Sequence, residues 1–199
     1  MGRSRSFEAD EVVRRARDVF WRHGFEEASL PLLEAATGLR RSSLYHAFGS
    51  KRGLFDAAVG NYLDEVLRPR LRPLQTVPVA PQALADYLLG LRGALVAVAG
   101  ADGTPPPGCL LLNTASGTLG ADAGVREVLR RYRSELREAV AAGVAAASPG
   151  SGPEDRARVV TAVVALAVSA LVLVRVDPDA ATEALDAALA LVGAEEPPG

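Results

Sequence analysis

Apolar residues recur along this chain every three or four positions, the period at which side chains share one face of an α-helix, and no stretch alternates as a half-buried strand would. Val12, Val13, Ala16, Val19 and Phe20 predict a first helix over 10–23, closed by Gly24 and followed by Phe25, an apolar residue able to fold back. Ser29 is placed to cap a second helix. Pro31 is tolerated there because a first-turn N–H lacks an intrahelical partner, and Leu30, Leu33 and Ala36 form the apolar side. Gly38 supplies a turn, and residues 41–48 predict a third helix with Leu44 and Phe48 inward. A longer helix from Ser50, marked by Leu54, Phe55, Ala58, Tyr62 and Val66, is expected to run to about Arg68, where Pro69 and Pro73 would stop it.

The remainder keeps the helical period. Residues 69–81 contain four prolines and are the best candidate boundary. It divides a first domain over 1–55, with its linking helix 50–68, from a second over 69–199. Further helices are predicted over 81–99 (Leu84, Leu88, Leu91, Leu95, Val98), 109–119, 122–147, 154–176 and 179–192, with breaks at GADGTPPPG and SPGSGP. The tail EEPPG is expected to fray. The expected fold is therefore all-α, with about nine helices and no internal repeat.

Residues 159–174, VVTAVVALAVSALVLV, are apolar on every side. The run is short of the roughly 20 apolar residues that a membrane span requires, and Arg158 and Arg175 bound it. A helix apolar all round must instead be covered all round. One face can be hidden in the body of a protein this size; covering the other calls for a second subunit. Val159, Val163, Leu166, Ala170 and Leu173, with Leu185 and Leu189 of the last helix, are the candidate dimer interface.

Composition is that of a globular protein, with 49% hydrophobic and 23% charged residues. The net charge of −2 is unevenly placed: residues 1–55 carry +3 and the remainder −5. Between Gly38 and Gly53 stand Arg40, Arg41, Lys51 and Arg52 and no acid, a local cluster that bears on phosphate binding more than the overall balance does. A single cysteine excludes an intrachain disulfide and a cysteine-rich metal site. The N-terminus has no apolar core of the signal-peptide kind, so a soluble cytoplasmic protein without a membrane partner is expected.

The candidate chemistry lies in residues 29–55. With Leu44 and Phe48 inward, Arg41, Ser42, Tyr45 and His46 point outward, a set suited to phosphates and base edges. Ser50 and Lys51 open the next helix, where free N–H groups and the helix dipole attract a phosphate. His46 has no His, Cys or carboxylate at metal-ligand spacing, and His23 beside Gly24 reads as a structural cation at a helix C-terminus. These features describe a helix-turn-helix reader of double-stranded DNA.

The same residues carry a resemblance. Gly38-Leu39, Ser43-Leu44-Tyr45-His46, Phe48-Gly49-Ser50-Lys51 and Leu54-Phe55 resemble the DNA-binding signature of the TetR family of one-component bacterial transcriptional regulators. The likeness spans about residues 8–60. Two positions depart from the commoner pattern: Arg40 stands where Ser or Thr usually begins the recognition helix, and Ala47 where a second His or Tyr often contacts phosphate. The candidate DNA-binding set is Ser29, Arg40, Arg41, Ser42, Ser43, Tyr45, His46, Ser50 and Lys51. The resemblance also implies a dimer joined through the last two helices, which suits palindromic operators.

For catalysis the sequence offers two His without a fitting carboxylate and neither a Gly-rich phosphate loop nor paired carboxylates in an apolar setting. No enzyme, cofactor or metal is expected. The mostly apolar body helices are suited to enclosing a cavity for a small, largely apolar effector, with Tyr62, Val66, Tyr87, Leu91, Cys109, Asn113, Tyr132 and Ser169 as candidate lining; Thr114 is another polar position on these helices. Cys109 reads as a buried inert thiol, with a redox sensor as the competing reading. A ligand-responsive regulator, chiefly a repressor, is the leading expectation. A helical adaptor with a vestigial DNA-binding head is the alternative.

Overall fold

Helices whose apolar positions form stripes hide them by packing side against side. The computed structural model describes residues 2–97 and 106–193 and contains nine helices and no strand among them. They are α1 (Gly2–Glu27), α2 (Leu30–Thr37), α3 (Arg41–Phe48), α4 (beginning Lys51–Tyr62), α5 (Ala83–Ala97), α6 (Leu110–Ser116), α7 (Ala123–Ala147), α8 (Pro153–Leu173) and α9 (Pro178–Leu191). A short 3-10 turn, Thr118–Ala121, precedes α7. The predicted extension of α5 to Ala99, most of the break after it and the predicted fraying tail lie outside the described residues.

Gly24 interrupts α1 at φ 74°, a conformation that favours a residue without Cβ. The reversal brings Phe25 against Phe20, at 6.2 Å between ring centres, and edge-on to Phe55 of α4 at 5.2 Å. Salt bridges from Arg14 and Arg17 to Glu65, at 3.0 and 3.2 Å, add a second tie between α1 and the long helix.

That long helix does not stop at Arg68. After Lys51–Tyr62 it widens into a π-helical stretch, Leu63–Leu67, and continues as Arg68–Gln75. Pro69 lacks an N–H and its ring would crowd the carbonyl four residues back in a regular α-helix. The π turn, in which the Arg68 N–H reaches the Leu63 carbonyl, opens the spiral just before that proline. Helix continues through Pro73, and Leu71 and Leu74 are fully buried.

Two apolar clusters result. The first gathers Phe20, Leu33, Leu44, Phe55 and Tyr62 from α1–α4 and takes in Cys109, Leu110 and Leu111 at the start of α6. The second joins Leu71 and Leu74 of α4 to α5, α7, α8 and α9. Gly143 allows the close approach in the second cluster, because a Cβ there would stand 2.8 Å from side-chain atoms of Leu74 and Leu84.

The predicted dimer contacts need correction. Val163, Ala170 and Leu185 are fully buried and Leu189 nearly so, all within the protomer's own second cluster. Val159, Leu166 and Leu173 are half-buried against the same cluster. The run is apolar on every side, so its periodicity carries no phase and cannot tell which face α7 and α9 cover. The face left open carries Ala165, Val172 and, just beyond the helix, Val176, with Leu191 exposed on α9. By length and composition α8 is apolar enough to cross a membrane, with a mean hydropathy of 2.0 and 28% of its most apolar window buried.

Candidate nucleic-acid interface

The local sequence builds the α2–turn–α3 unit. The Ser29 hydroxyl accepts the Leu32 N–H at 3.4 Å and Gly38 closes α2 at φ 72°. Inside the turn, the buried Thr37 hydroxyl donates to the Leu33 carbonyl at 2.6 Å and accepts the Leu39 N–H at 3.3 Å. Arg40 occupies the N-cap of α3 and makes no side-chain capping bond. Glu34 of α2 replaces it: its carboxylate accepts the Arg41 N–H at 2.5 Å. This donor–acceptor pair crosses the turn, seven residues apart, outside the usual capping spacing.

Leu44 alone of α3 is buried; Phe48 and Tyr45 are half-buried. Arg40, Arg41, Ser42, Ser43 and His46 are exposed, as are Ser29 and Ser50 beside them. The Arg41 guanidinium lies 5.1 Å over the Tyr45 ring, which restrains both side chains on the open face. Six of the nine predicted residues lie on α3 or at its N-cap, while Ser29 caps α2 and Ser50 and Lys51 open α4.

Lys51 is placed with a difference. The chain's only lysine is half-buried, its ammonium 4.7 Å over the Phe25 ring and its Nζ donating to the Glu26 carbonyl at 3.3 Å. It ties α4 to the end of α1 as well as standing at the first turn of α4. Ser50 caps that turn by accepting the Gly53 N–H at 3.0 Å. Gly53 has a further part that its sequence position does not advertise: a Cβ there would sit 2.1 Å from the Phe48 carbonyl. The end of α3 is thus seated directly on α4.

Four contacts connect this unit to the rest. Arg52 binds Asp56 of its own helix and, at 2.9 Å, Asp122 at the cap of α7. The Asp122 carboxyl is held well below the usual carboxylate range, at about 2, chiefly by the Arg52 hydrogen bond and then by the Val125 N–H. Arg68 grips both oxygens of Glu135 at 3.1 and 3.0 Å. The Trp21 indole donates to the Gly108 carbonyl at 2.9 Å, and the Thr118 hydroxyl bonds Glu26.

Two cavities border α4. One of about 210 Å³ lies between α4 and α7 and is walled by Phe55, Val59, Leu111, Val125, Val128 and Leu129. The other, of about 50 Å³, brings together the predicted Tyr62, Tyr87, Leu91 and Tyr132. Val66, Asn113 and Ser169 line neither. Val66 packs into the first apolar cluster, and the Asn113 amide is spent on the Pro107 carbonyl at 2.7 Å. Cys109 lies behind Tyr62, fully buried, and desolvation pushes its thiol up, the behaviour of an inert core cysteine. Sequence reasoning missed Trp21, Arg70 and Leu171, among other residues that line the smaller cavity.

Comparison with known proteins agrees with this geometry. The model of the tetR family of bacterial regulatory proteins matches residues 12–58. A solved structure of the TetR family transcriptional regulator CifR, a cysteine mutant complexed with 26-bp double-strand operator DNA, superposes with a TM-score of 0.70 at 31% identity, covering 91% of this chain and 95% of that one. The chain belongs to the TetR family. Among TetR-family relatives, the HTH-type transcriptional repressor ComR of Escherichia coli (strain K12) is 34% identical over 124 residues, 62% of this chain. The match spans 56% of ComR's own length. The uncharacterized HTH-type transcriptional regulator YezE of Bacillus subtilis (strain 168) is 30% identical over 139 residues, 70% of this chain and 69% of its own.

Proposed function

We propose that this protein is a cytoplasmic, ligand-responsive transcriptional repressor that binds a palindromic operator as a homodimer and is released by a small molecule. The observation that carries the reading is the exposed face of α3. Arg41, Ser42, Ser43 and His46 stand clear of the fold, with Tyr45 beside them and Arg40 at the helix start. Such a face, presented by a short helix on a rigid turn, offers guanidinium, hydroxyl and imidazole groups to phosphates and base edges. The ComR description and the operator DNA bound by CifR support the same reading.

Dimer formation is supported by the apolar surface that α8 leaves open at Ala165, Val172 and Val176. Apolar residues left open along one helix face in this way support an interaction surface there. Two copies joined across it meet the two-fold symmetry of a palindrome. Release follows from α4: both cavities border this helix, Gly53 seats α3 upon it, and a ligand favouring a different α4 position weakens DNA binding by the ratio of its affinities for the two states.

A gel shift with duplex DNA from the region adjoining its own gene tests the reading. A retarded complex that survives excess unrelated DNA is expected. Binding no stronger than to unrelated duplex would favour the adaptor reading instead.

A further inference from the structure

We propose that the larger cavity, between α4 and α7, is a binding site for an uncharged aromatic molecule of one or two fused rings, and that filling it weakens operator binding. This rests on the sensor reading above and gives the effector a place and a chemical class.

Place is the first argument. The opening turns of α4 and of α7 form two walls of the cavity, and Leu111 and Thr114 of α6 form a third. The same turns of α4 carry the contacts of the reading unit. Gly53 lies against the Phe48 carbonyl at the end of α3. Phe55, which walls the cavity, meets Phe20 and Phe25 of α1 edge-on, each at 5.2 Å between ring centres. A molecule held against Phe55 is therefore one side chain away from α1. Arg52, at the border of the cavity, joins the two facing helices through its bridge to Asp122. A ligand seated there bears on the separation of α4 and α7.

Chemistry is the second. Phe55, Leu111 and Val125 are buried, and with Val59, Val128 and Leu129 they give the cavity an apolar lining. The polar side chains at its border are Arg52, Asp56 and Thr114, and each is already partnered. Arg52 donates to Asp56 at 2.8 Å and to Asp122 at 2.9 Å, and the Thr114 hydroxyl gives its one proton to the Leu110 carbonyl at 2.7 Å. A charged ligand would lose its water here and meet no unpaired opposite charge, a cost that a neutral apolar molecule does not bear.

Size is the third. An apolar cavity of about 150 Å³ is enough to take up benzene. This one, of about 210 Å³, admits a single ring or two fused rings, with the Phe55 ring as an aromatic partner.

The test is a calorimetric titration of the full-length protein with indole and 2-naphthol, and with the anion 2-naphthoate, which keeps the two rings and adds a charge. Fluorescence anisotropy then follows the operator complex with each compound. Indole and 2-naphthol are expected to bind, and 2-naphthoate to bind at least about tenfold more weakly than 2-naphthol. Either neutral compound should weaken operator binding, by the same factor by which operator weakens binding of the compound. Val128→Phe, growing into the cavity from α7, and Val59→Phe, growing into it from α4, should each weaken both neutral compounds at least about tenfold. Circular dichroism checks that each variant folds, and the wild-type titrations stand without them.

No binding of either neutral compound to a protein that still binds operator would overturn the site. Equal affinity for 2-naphthoate would overturn the chemical class, and undiminished binding to both folded variants would overturn the place. Binding that leaves operator affinity unchanged or raises it would overturn the effector role. Release of operator by some other compound, equally from wild type and from Val128→Phe, would leave the sensor reading standing and remove this cavity from it.

Discussion

The Glu34 carboxylate accepts the Arg41 N–H at 2.5 Å, and so one short helix of the reading unit caps the other. Arg40, at the N-cap, contributes no such bond. Glu34→Ala should therefore destabilise the protein by about 0.5–2 kcal/mol, the range for losing a helix N-cap. Chemical denaturation measures it. Stability equal to wild type would show that solvent serves the Arg41 N–H equally well.

Gly53 gives a sharper prediction. A methyl group there would stand 2.1 Å from the Phe48 carbonyl, which cannot move without moving the end of α3. Gly53→Ala, although favoured by about 1 kcal/mol on helix propensity alone, should lower both stability and operator affinity. A thermal melt and an operator titration of the same variant report the two effects. A variant more stable than wild type with unchanged affinity would mean that α3 and α4 tolerate a looser seat.

The exposed face of α3 divides by what each residue reaches. Tyr45→Ala should weaken binding to all sequences, because its expected contact is to phosphate. Arg41→Ala and His46→Ala should change which sequences are preferred, at about 1–3 kcal/mol per lost base contact. Binding selections from randomised duplexes distinguish the two classes. Preferences identical to wild type in both Arg41 and His46 variants would remove the base-reading assignment.

Much of this was readable in the chain. Ser29 and Gly38 announce the ends of α2 through the chemistry of caps and left-handed turns, Gly24 announces the reversal of α1, and Leu44 its buried face. Three things were not. Pro69 and Pro73 imply a helix end only when the preceding turn is regular, and the π stretch Leu63–Leu67 changes that. Residues 159–174 are apolar on all sides, so their period could not say that Val163 and Ala170 face inward while Val172 faces out. Glu34 acts on a group that neither a spacing rule nor a family motif places beside it, since the two meet only after the helices pack.

The corrected helix face makes the dimer testable in a form the sequence alone did not offer. Val172→Asp, on the open face, should separate the subunits while leaving the protomer folded, since burying an unpaired charge in an interface costs several kcal/mol. Val163→Ala should instead lower protomer stability, by roughly 1–3 kcal/mol, without selectively dissociating it. Light scattering and thermal melts read the two outcomes. A monomeric wild type at micromolar concentration would remove the open face from the account.

Acid should loosen the link between α4 and α7. Arg52 holds the Asp122 carboxyl at about 2, below its value in an unfolded chain. A depressed folded-state value means that the contribution is complete above the unfolded carboxylate range, near pH 4, and is lost as pH falls toward 2. Between pH 5 and 3 the melting temperature of wild type should fall more steeply than that of Asp122→Asn. Parallel curves would show that this pair does not couple to folding.

The central claim is that two copies of α3 read a two-fold symmetric DNA site. Its most direct test is selection of duplexes bound by the wild-type protein from a fully randomised pool. The expected product is a palindrome whose half-sites are separated by one helical turn of DNA or a multiple of it, bound by two protomers. A selected pool with no enriched sequence, or one with a single unrepeated half-site bound by one protomer, would contradict it.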